Sequence, residues 1–262
     1  VERDLCGPRR PASGVVFRRL RYEARARVAR FPGLYLPLVR LRRGRRELAV
    51  HSETEVVIEG FPRSGNTFAV AAFQLAQERE ARIARHLHAP AQIIAAAKRR
   101  IPTLVLIRDP EEAVPSLLVF HRFLTARQAL RAYRRFYGAI RSYQEGFLVA
   151  TFDSVTRDFG AVVQELNRKF GTSFRRFHHT EENVAKCFEL VEEMDTRFQG
   201  TASESTVARP SAERRSLKDS LRKALEKGEI RRELDRCRRI YRAFAALDPV
   251  IGRQPATRLR LV

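Results

Sequence analysis

Residues 55–68, with the sequence EVVIEGFPRSGNTF, constrain the fold more than any other stretch of the chain. A run rich in β-branched residues leads into a turn with Gly60 and Gly65, and a helical pattern follows the turn. The spacing G-x-x-x-x-G between a strand and a helix is typical of a loop whose backbone N–H groups bind a phosphate or sulfate. Alone this spacing is a weak signal, because glycine turns after strands are common.

The cation of this loop occupies an unusual position. Asn66 and Thr67 follow Gly65, where a nucleotide triphosphatase carries Lys-Ser or Lys-Thr. The basic residue lies inside the loop instead, at Arg63, and arginine can bind a phosphate or sulfate through two parallel hydrogen bonds without a metal. A P-loop kinase or NTPase remains an alternative, although the stretch LVLIRD places Arg108 before its aspartate and so departs from the usual magnesium-binding strand.

The remainder of the chain alternates between strand and helix patterns. Buried strands are predicted at 55–59, 102–108 and 147–152, and the apolar stripe over 129–140 is typical of a helix packed on a core. Further helices are predicted over 14–31, 66–80, 89–100, 108–123, 158–171, 181–197 and 211–246. This alternation predicts an α/β fold, a three-layer α/β/α arrangement with a central, mainly parallel sheet.

The net charge of +21 is concentrated at the two ends of the chain. Residues 1–50 contain 14 arginines and 4 acidic residues, and residues 209–262 contain 16 basic and 7 acidic residues. Such ends can bind nucleic acid, an anionic membrane surface or an acidic substrate. A solvated surface is the competing interpretation, because arginine outnumbers lysine 45 to 6 throughout the chain, as codon bias would produce.

The charge distribution and the three cysteines indicate the domain organisation and the cellular compartment. We expect a basic N-terminal extension over residues 1–50 and one large domain over residues 51–262. Cys6, Cys187 and Cys237 are scattered and form no CxxC pair, so neither a metal site nor a disulfide framework is expected. A reducing, cytoplasmic location is expected, with peripheral membrane contact as a second expectation, since no run approaches the ~20 apolar residues of a membrane span.

Two blocks of the sequence together resemble a known family. GFPRSGNTF resembles the 5′-phosphosulfate loop of sulfotransferases that use 3′-phosphoadenosine 5′-phosphosulfate (PAPS). LVLIRDPEEAVPS resembles the 3′-phosphate element of that family, with Arg108 and Ser116 at the matching positions. The resemblance covers roughly residues 53 to 225 and implies a P-loop-like sulfotransferase fold.

The resemblance also implies which residues bind the nucleotide. Arg63 matches the basic residue on the transferring sulfuryl group and the departing phosphate. Phe68 matches the aromatic residue that stacks on adenine, and Arg209 is a loose match to a late basic loop over the 3′-phosphate. The expected donors to the 5′-phosphosulfate are Ser64, Gly65, Asn66 and Thr67.

Catalytic roles are implied for two histidines. His88, in HLHAP, matches the family's general base, and His86 stands where many members carry a lysine. Because Pro90 favours an extended residue before it, the segment is expected to place both histidines on one face. If cationic, His86 would help to keep His88 neutral. Glu59 is a further candidate for the base.

The expected activity is in-line transfer of a sulfuryl group from PAPS to a hydroxyl or amine acceptor, without a metal. Such a reaction depends mainly on alignment and on fixed donors around developing charge. The acceptor is expected to be a carbohydrate, a lipid or a small molecule, and no specific nucleic acid is expected. The alternatives are the kinase or NTPase and a non-catalytic binder of nucleic acid or of a membrane surface.

Overall fold

The computed structural model of the chain describes residues 12–42, 44–199 and 212–252. Within these ranges the protein is an α/β fold with one sheet of four parallel strands, in the order β2-β1-β3-β4. The strands are β1 (Val56–Gly60), β2 (Ile83–Arg85), β3 (Thr103–Ile107) and β4 (Leu148–Thr151).

Helices connect and flank these strands. Before the sheet lie α1 (Ala12–Val28) and α2 (Pro32–Arg40), and between its strands lie α3 (Asn66–Ala76), α4 (Pro90–Lys98), α5 (Pro110–Phe120) and α6 (Ala126–Ile140). A short 3-10 helix, Arg141–Gly146, leads into β4. After the sheet come α7 (Phe152–Arg157), α8 (Phe159–Phe170), α9 (Glu181–Gln199), α10 (Ala212–Leu225) and α11 (Gly228–Ala245).

The helices cover both faces of the sheet. Successive side chains of a strand point to opposite faces. Ile58 and Leu106 therefore pack with α3, α8 and α9, whereas Val105 and Ile107 pack with α4, α5, α6 and α11. Both faces are apolar, as expected for a parallel sheet that helices enclose. The predicted α/β fold with a parallel sheet is confirmed, and helices on both faces of the sheet are compatible with the predicted three-layer α/β/α arrangement.

The strand order creates a crevice between β1 and β3. The chain leaves β1 through α3 toward β2 on one side, and it leaves β3 through α5 and α6 toward β4 on the other. In open parallel sheets, ligands bind at the carboxyl ends of the strands where the connections diverge in this way. Residues 61–65, which follow β1, and Arg108, which follows β3, both lie at this edge.

The segment before β1 packs into the main body. Tyr35, Leu36 and Val39 of α2 are buried, and residues 48–50 are buried beside them. They share an apolar cluster with Val57 of β1, with residues 84, 87 and 89, and with α4. A boundary at residue 50 remains a prediction, but the described residues from 29 onward contribute to the core of the sheet-bearing body.

Most predicted elements occur within a few residues of their expected bounds, and two differences are informative. Strand β2 was not predicted, because three residues are too short to show a periodic pattern. The helical pattern over 211–246 is two helices, separated at Gly228, whose φ of 53° lies in the left-handed region.

Candidate anion-binding and catalytic site

Two glycines shape the loop after β1. A Cβ atom added at Gly60 would lie 2.4 Å from the carbonyl oxygen of Leu106, so β1 and β3 could not approach each other as they do. Gly65 has a φ of 88°, and a Cβ there would lie 3.2 Å from the ring of Phe152. Both positions therefore require glycine, one for close strand packing and one for the turn into α3.

The loop is closed by a side chain at the start of α3. The Asn66 side chain donates its Nδ2–H to the carbonyl oxygen of Phe61 at 3.0 Å. Gly65 provides no side-chain cap, and the first N–H groups of a helix have no partner within the helix. Ser64 is buried and Thr67 is half-buried beside this uncapped end. The backbone donors of the first turn are thus oriented as an anion-binding loop requires.

Arg63 connects the two sequence blocks. Its Nε donates to the hydroxyl oxygen of Ser116 on α5 at 3.0 Å, across the crevice between β1 and β3. The guanidinium also lies 5.6 Å from the centre of the Phe120 ring. The predicted partners of the 5′- and 3′-phosphate groups are therefore neighbours, although 53 residues separate them along the chain.

Arg108 is held on the same edge by three contacts. One terminal nitrogen donates to the carbonyl oxygen of Arg63 at 3.3 Å, and the other lies 3.4 Å from a carboxylate oxygen of Glu112. The guanidinium stacks 3.9 Å from the centre of the Phe152 ring. Burial lowers the pKa of Arg108 from its ordinary value, and arginine nevertheless stays charged at neutral pH. The result is a fixed cation beside the loop.

Glu112 links Arg108 to a second arginine on α10. Its carboxylate is bound by Arg222 as well as by Arg108, and Arg222 donates through Nε to the carbonyl oxygen of Glu111 at 3.3 Å. Arg222 was not predicted as a site residue, because it belongs to a strongly basic helix in which no arginine stands out. Arg209, which was predicted, lies outside the described residues.

His88 lies beside the carboxyl end of β1. Its Nδ1 is 2.9 Å from the carbonyl oxygen of Gly60, and because a carbonyl only accepts, Nδ1 carries the proton. In the neutral ring Nε2 therefore keeps its lone pair. Burial, the largest cause, lowers the pKa of His88 to about 4, although 26% of the side chain is exposed. His88 is thus neutral at pH 7, with the lone pair of Nε2 able to accept a proton.

His86 lies next to His88 and is uncharged at neutral pH. Burial first, and then the neighbouring His88, lower the pKa of His86 to about 3, so the condition that His86 be cationic is not met. The two ring centres are 6.1 Å apart. The expected extended backbone was also wrong, because His86 and His88 have φ values of 57° and 47°. Ala89, before Pro90, is extended as predicted.

Glu59 is fully buried behind His88. Its carboxyl group accepts from the backbone N–H of Leu87 at 2.9 Å and from the side chain of Gln92 at 3.1 Å. One oxygen is 3.5 Å from Nδ1 of His88. Burial raises the pKa of Glu59 to about 8, so the carboxyl group is mainly protonated at pH 7. Its contacts suit positioning of the histidine loop better than proton abstraction from an acceptor.

Two tyrosines of α6 fix the backbone of the crevice. The hydroxyl of Tyr133 donates to the carbonyl oxygen of Arg108 at 2.8 Å. The hydroxyl of Tyr137 donates to the carbonyl oxygen of Leu106 at 2.8 Å and accepts from the N–H of Phe61 at 3.4 Å. Both were predicted only as core residues. The sequence does carry one signal for them. A tyrosine within an apolar stripe buries its hydroxyl, and a buried hydroxyl needs a hydrogen-bond partner.

Backbone strain is concentrated at this edge. Among the described residues, the non-glycine residues with positive φ are Arg63, His86, His88 and Arg100, and the first three belong to this site. Each such conformation costs on the order of 1–3 kcal/mol, and such strain is typically found at functional sites. The loop and the histidines are therefore held where local preference alone would not place them.

Two further observations concern aromatic and histidine side chains around the loop. Phe68 packs against Phe177 and Phe188, with ring centres 6.4 and 5.8 Å away, so it belongs to an aromatic cluster beside α9. The ring centre of His121 is 4.7 Å from that of Phe120, the ring that Arg63 contacts. Burial first, and then the charges of Arg25, Arg18 and Arg63, lower the pKa of His121 to about 4.

Comparisons with known proteins yield no relative: no family model, curated protein or solved structure matches this chain.

Proposed function

We propose that this protein is a sulfotransferase that moves a sulfuryl group from PAPS to a hydroxyl or amine acceptor. The observation that carries the proposal is the 3.0 Å contact between Arg63 and Ser116 at the divergence of the β1 and β3 connections. Two sequence blocks that separately resemble the two phosphate-binding elements of one family meet there. The finer fold assignment, a P-loop-like sulfotransferase fold, is part of the same proposal.

The residues present suit a nucleotide with phosphate groups at both ends of its ribose. The uncapped start of α3, with Ser64, Gly65, Asn66 and Thr67, would hold the 5′-phosphosulfate. Arg108 and Ser116 would hold the 3′-phosphate. Arg63 stands between the two sets, because its side chain contacts Ser116 while its carbonyl oxygen accepts from Arg108. Phe68 at the rim of the loop is the proposed contact to adenine.

The chemistry requires little from the protein beyond positioning. When bound, PAPS supplies the sulfuryl group, whose bond to the bridging phosphate oxygen breaks as a bond to the acceptor oxygen forms. His88 accepts the acceptor proton at Nε2, because Nδ1 is held by Gly60. Arg63 stabilises the charge that develops on the departing phosphate. His86 and Glu59 position the His88 loop, and His86 is neutral, so no lysine-like role is assigned to it.

A kinase or NTPase fits these contacts less well. Asp109, the acidic residue after β3, accepts from the N–H of Glu111 at 2.8 Å and caps α5. One of its carboxylate oxygens is therefore engaged in the helix cap. No lysine follows Gly65 to reach a terminal phosphate.

The test is product analysis by mass spectrometry after incubation with PAPS and a panel of carbohydrate, lipid and small-molecule acceptors. A product heavier by one SO₃ group is expected without added metal. In parallel, adenosine 3′,5′-bisphosphate without metal should raise the melting temperature more than ATP with magnesium does. The reverse order of stabilisation would favour the kinase or NTPase instead.

A further inference from the structure

The surface of α2 carries apolar side chains that nothing in the described structure covers. One face of this helix is buried in the core through Tyr35, Leu36 and Val39. The opposite face exposes Leu34, Leu38 and Leu41, with 61%, 56% and 81% of each residue accessible to solvent. Phe31, just before the helix, is also exposed. We name these four exposed residues the α2 face.

The α2 face cannot turn inward to hide its leucines. The buried face is fixed by the hydroxyl of Tyr35, which accepts from Nε of Arg25 at 3.1 Å. The end of the helix is fixed by Arg40, which donates to the carbonyl oxygen of Val50 at 2.7 Å. Rotation would break these bonds and expose the other face. The spacing of Leu34, Leu38 and Leu41 places them along one side of the helix, so the apolar surface is continuous.

The segment that carries this apolar surface is strongly basic. The exposed arginines nearest in sequence are Arg30, Arg40, Arg42, Arg45 and Arg46, and the described residues between 30 and 47 contain a single acid, Glu47. The guanidinium of Arg30 lies 4.6 Å from the centre of the Phe31 ring. A helix with leucine and phenylalanine on one surface and several arginines in the same segment has the composition of a helix that lies at a membrane interface.

Helix α1 repeats the same combination. Val16, Phe17 and Leu20 are exposed on it, and Arg18 and Arg21 are exposed beside them. Residues 1–50 as a whole contain 14 arginines and 4 acidic residues. Basic residues close to an anionic lipid surface add electrostatic attraction to the burial of apolar side chains.

We infer that the α2 face docks on an anionic lipid membrane, with its leucines in the interface and the exposed arginines of the same segment on the lipid phosphates. No helix in the described ranges is long and apolar enough to cross a membrane, so the inferred contact is peripheral. Aliphatic side chains favour lipid over nucleic acid, which is bound mainly through phosphate contacts and aromatic stacking. The proposed sulfotransferase activity is not needed for this inference, since no residue of the loop or the histidine segment takes part.

The first test is co-sedimentation of the full chain with vesicles of phosphatidylcholine alone and of equal parts phosphatidylcholine and phosphatidylglycerol. The chain should bind the anionic vesicles and bind the neutral ones far less. Replacing Leu34, Leu38 and Leu41 together by serine should lower binding on the order of tenfold or more. The matched control replaces Leu75, Leu217 and Leu247, which are exposed elsewhere, by serine and should bind like the unmodified chain.

A second test uses the absence of tryptophan from the sequence. Leu38→Trp introduces a single reporter on the α2 face, and Leu247→Trp introduces one at a distant exposed leucine. On anionic vesicles, the fluorescence of Leu38→Trp should shift to shorter wavelength and that of Leu247→Trp should not. Lack of binding, or binding that survives the triple serine change, would overturn the inference. A shift of Leu38→Trp that depends on protein concentration without vesicles would also overturn it, because a second copy would then cover the face.

Discussion

His86 and His88 are half-buried beside each other, and desolvation lowers their pKa values to about 3 and about 4. The identity and order of these histidines follow from the sequence, as do Arg63, Arg108 and Ser116, because short motifs record them directly. Their pKa values do not, since these depend on how β1, α4 and the N-terminal segment surround the rings. Likewise, no local pattern indicates that the backbone at His86 and His88 has a positive φ.

These lowered pKa values predict how stability depends on pH. In the unfolded chain a histidine takes up a proton near pH 6.5, whereas buried His88 resists it to about pH 4, so stability is lost as pH falls through this window. His88→Gln should reduce the loss by about 2 kcal/mol between about pH 6.5 and about pH 5. Urea unfolding at several pH values measures this. His178→Gln, at an exposed position, should keep the wild-type slope.

Loss of His88 should lower turnover much more than it weakens nucleotide binding. His88→Ala removes the proposed base and should lower turnover by about 10²–10⁴-fold, while affinity for adenosine 3′,5′-bisphosphate changes little. His86→Ala should reduce turnover less, since a neutral His86 only supports the His88 loop. Transfer assays and calorimetry on the same preparations separate the two effects. Near-normal turnover of His88→Ala would place the base elsewhere.

At the scale of elements, the sheet and its helices were predictable where patterns were long. The glycine loop, α5 with its Asp109 cap and the buried strands β1, β3 and β4 follow from short-range signals. Strand β2 was missed because its three residues show no period, and its place at the sheet edge depends on pairing with β1. The hydroxyls of Tyr133 and Tyr137 bind carbonyl groups far away in sequence, which no local pattern records.

The close approach of β1 and β3 makes Gly60 a specific test of the crevice. Gly60→Ala would place a methyl group 2.4 Å from the carbonyl oxygen of Leu106, and the strands would have to separate. We expect a loss of about 3 kcal/mol or more in the free energy of unfolding. Gly138→Ala, in the open interior of α6, is the matched control and should stabilise by about 0.5–1 kcal/mol. Denaturant unfolding of both variants checks this, and equal stabilities would contradict the account.

At the scale of the whole molecule, the division of the chain at residue 50 remains a prediction, and the packing of the segment before β1 bears on it. The arginine-rich first 50 residues suggested an accessory segment, yet the described part from Ala29 to Val50 contributes buried side chains to the same core as β1 and α4. The sequence does contain this signal, in the apolar stretch LYLPLV, but an apolar run does not say which of its faces is buried. The structure divides this run into a buried face and the exposed α2 face.

Removal of residues 1–50 is therefore expected to destabilise the protein, and point changes on α2 test the packing more cleanly. Leu36→Ala empties a position that is only 4% exposed and should cost about 2–5 kcal/mol. Leu34→Ala, on the exposed face of the same helix, should change stability by less than about 0.5 kcal/mol. Thermal or urea unfolding compares the two variants. If Leu36→Ala were as stable as Leu34→Ala, α2 would be separable from the core.

Calorimetric titration of adenosine 3′,5′-bisphosphate in the presence of a chelator tests the central claim most directly. The unmodified protein should bind it without divalent metal. Arg63→Ala and Arg108→Ala should each weaken binding by about 1.5–3 kcal/mol, roughly tenfold to more than a hundredfold, because each removes a charged contact to a phosphate. Arg131→Ala, at an exposed position of α6, should bind like the unmodified protein. Absence of binding, or unchanged affinity in both loop-side variants, would contradict the assignment of this crevice as a PAPS site.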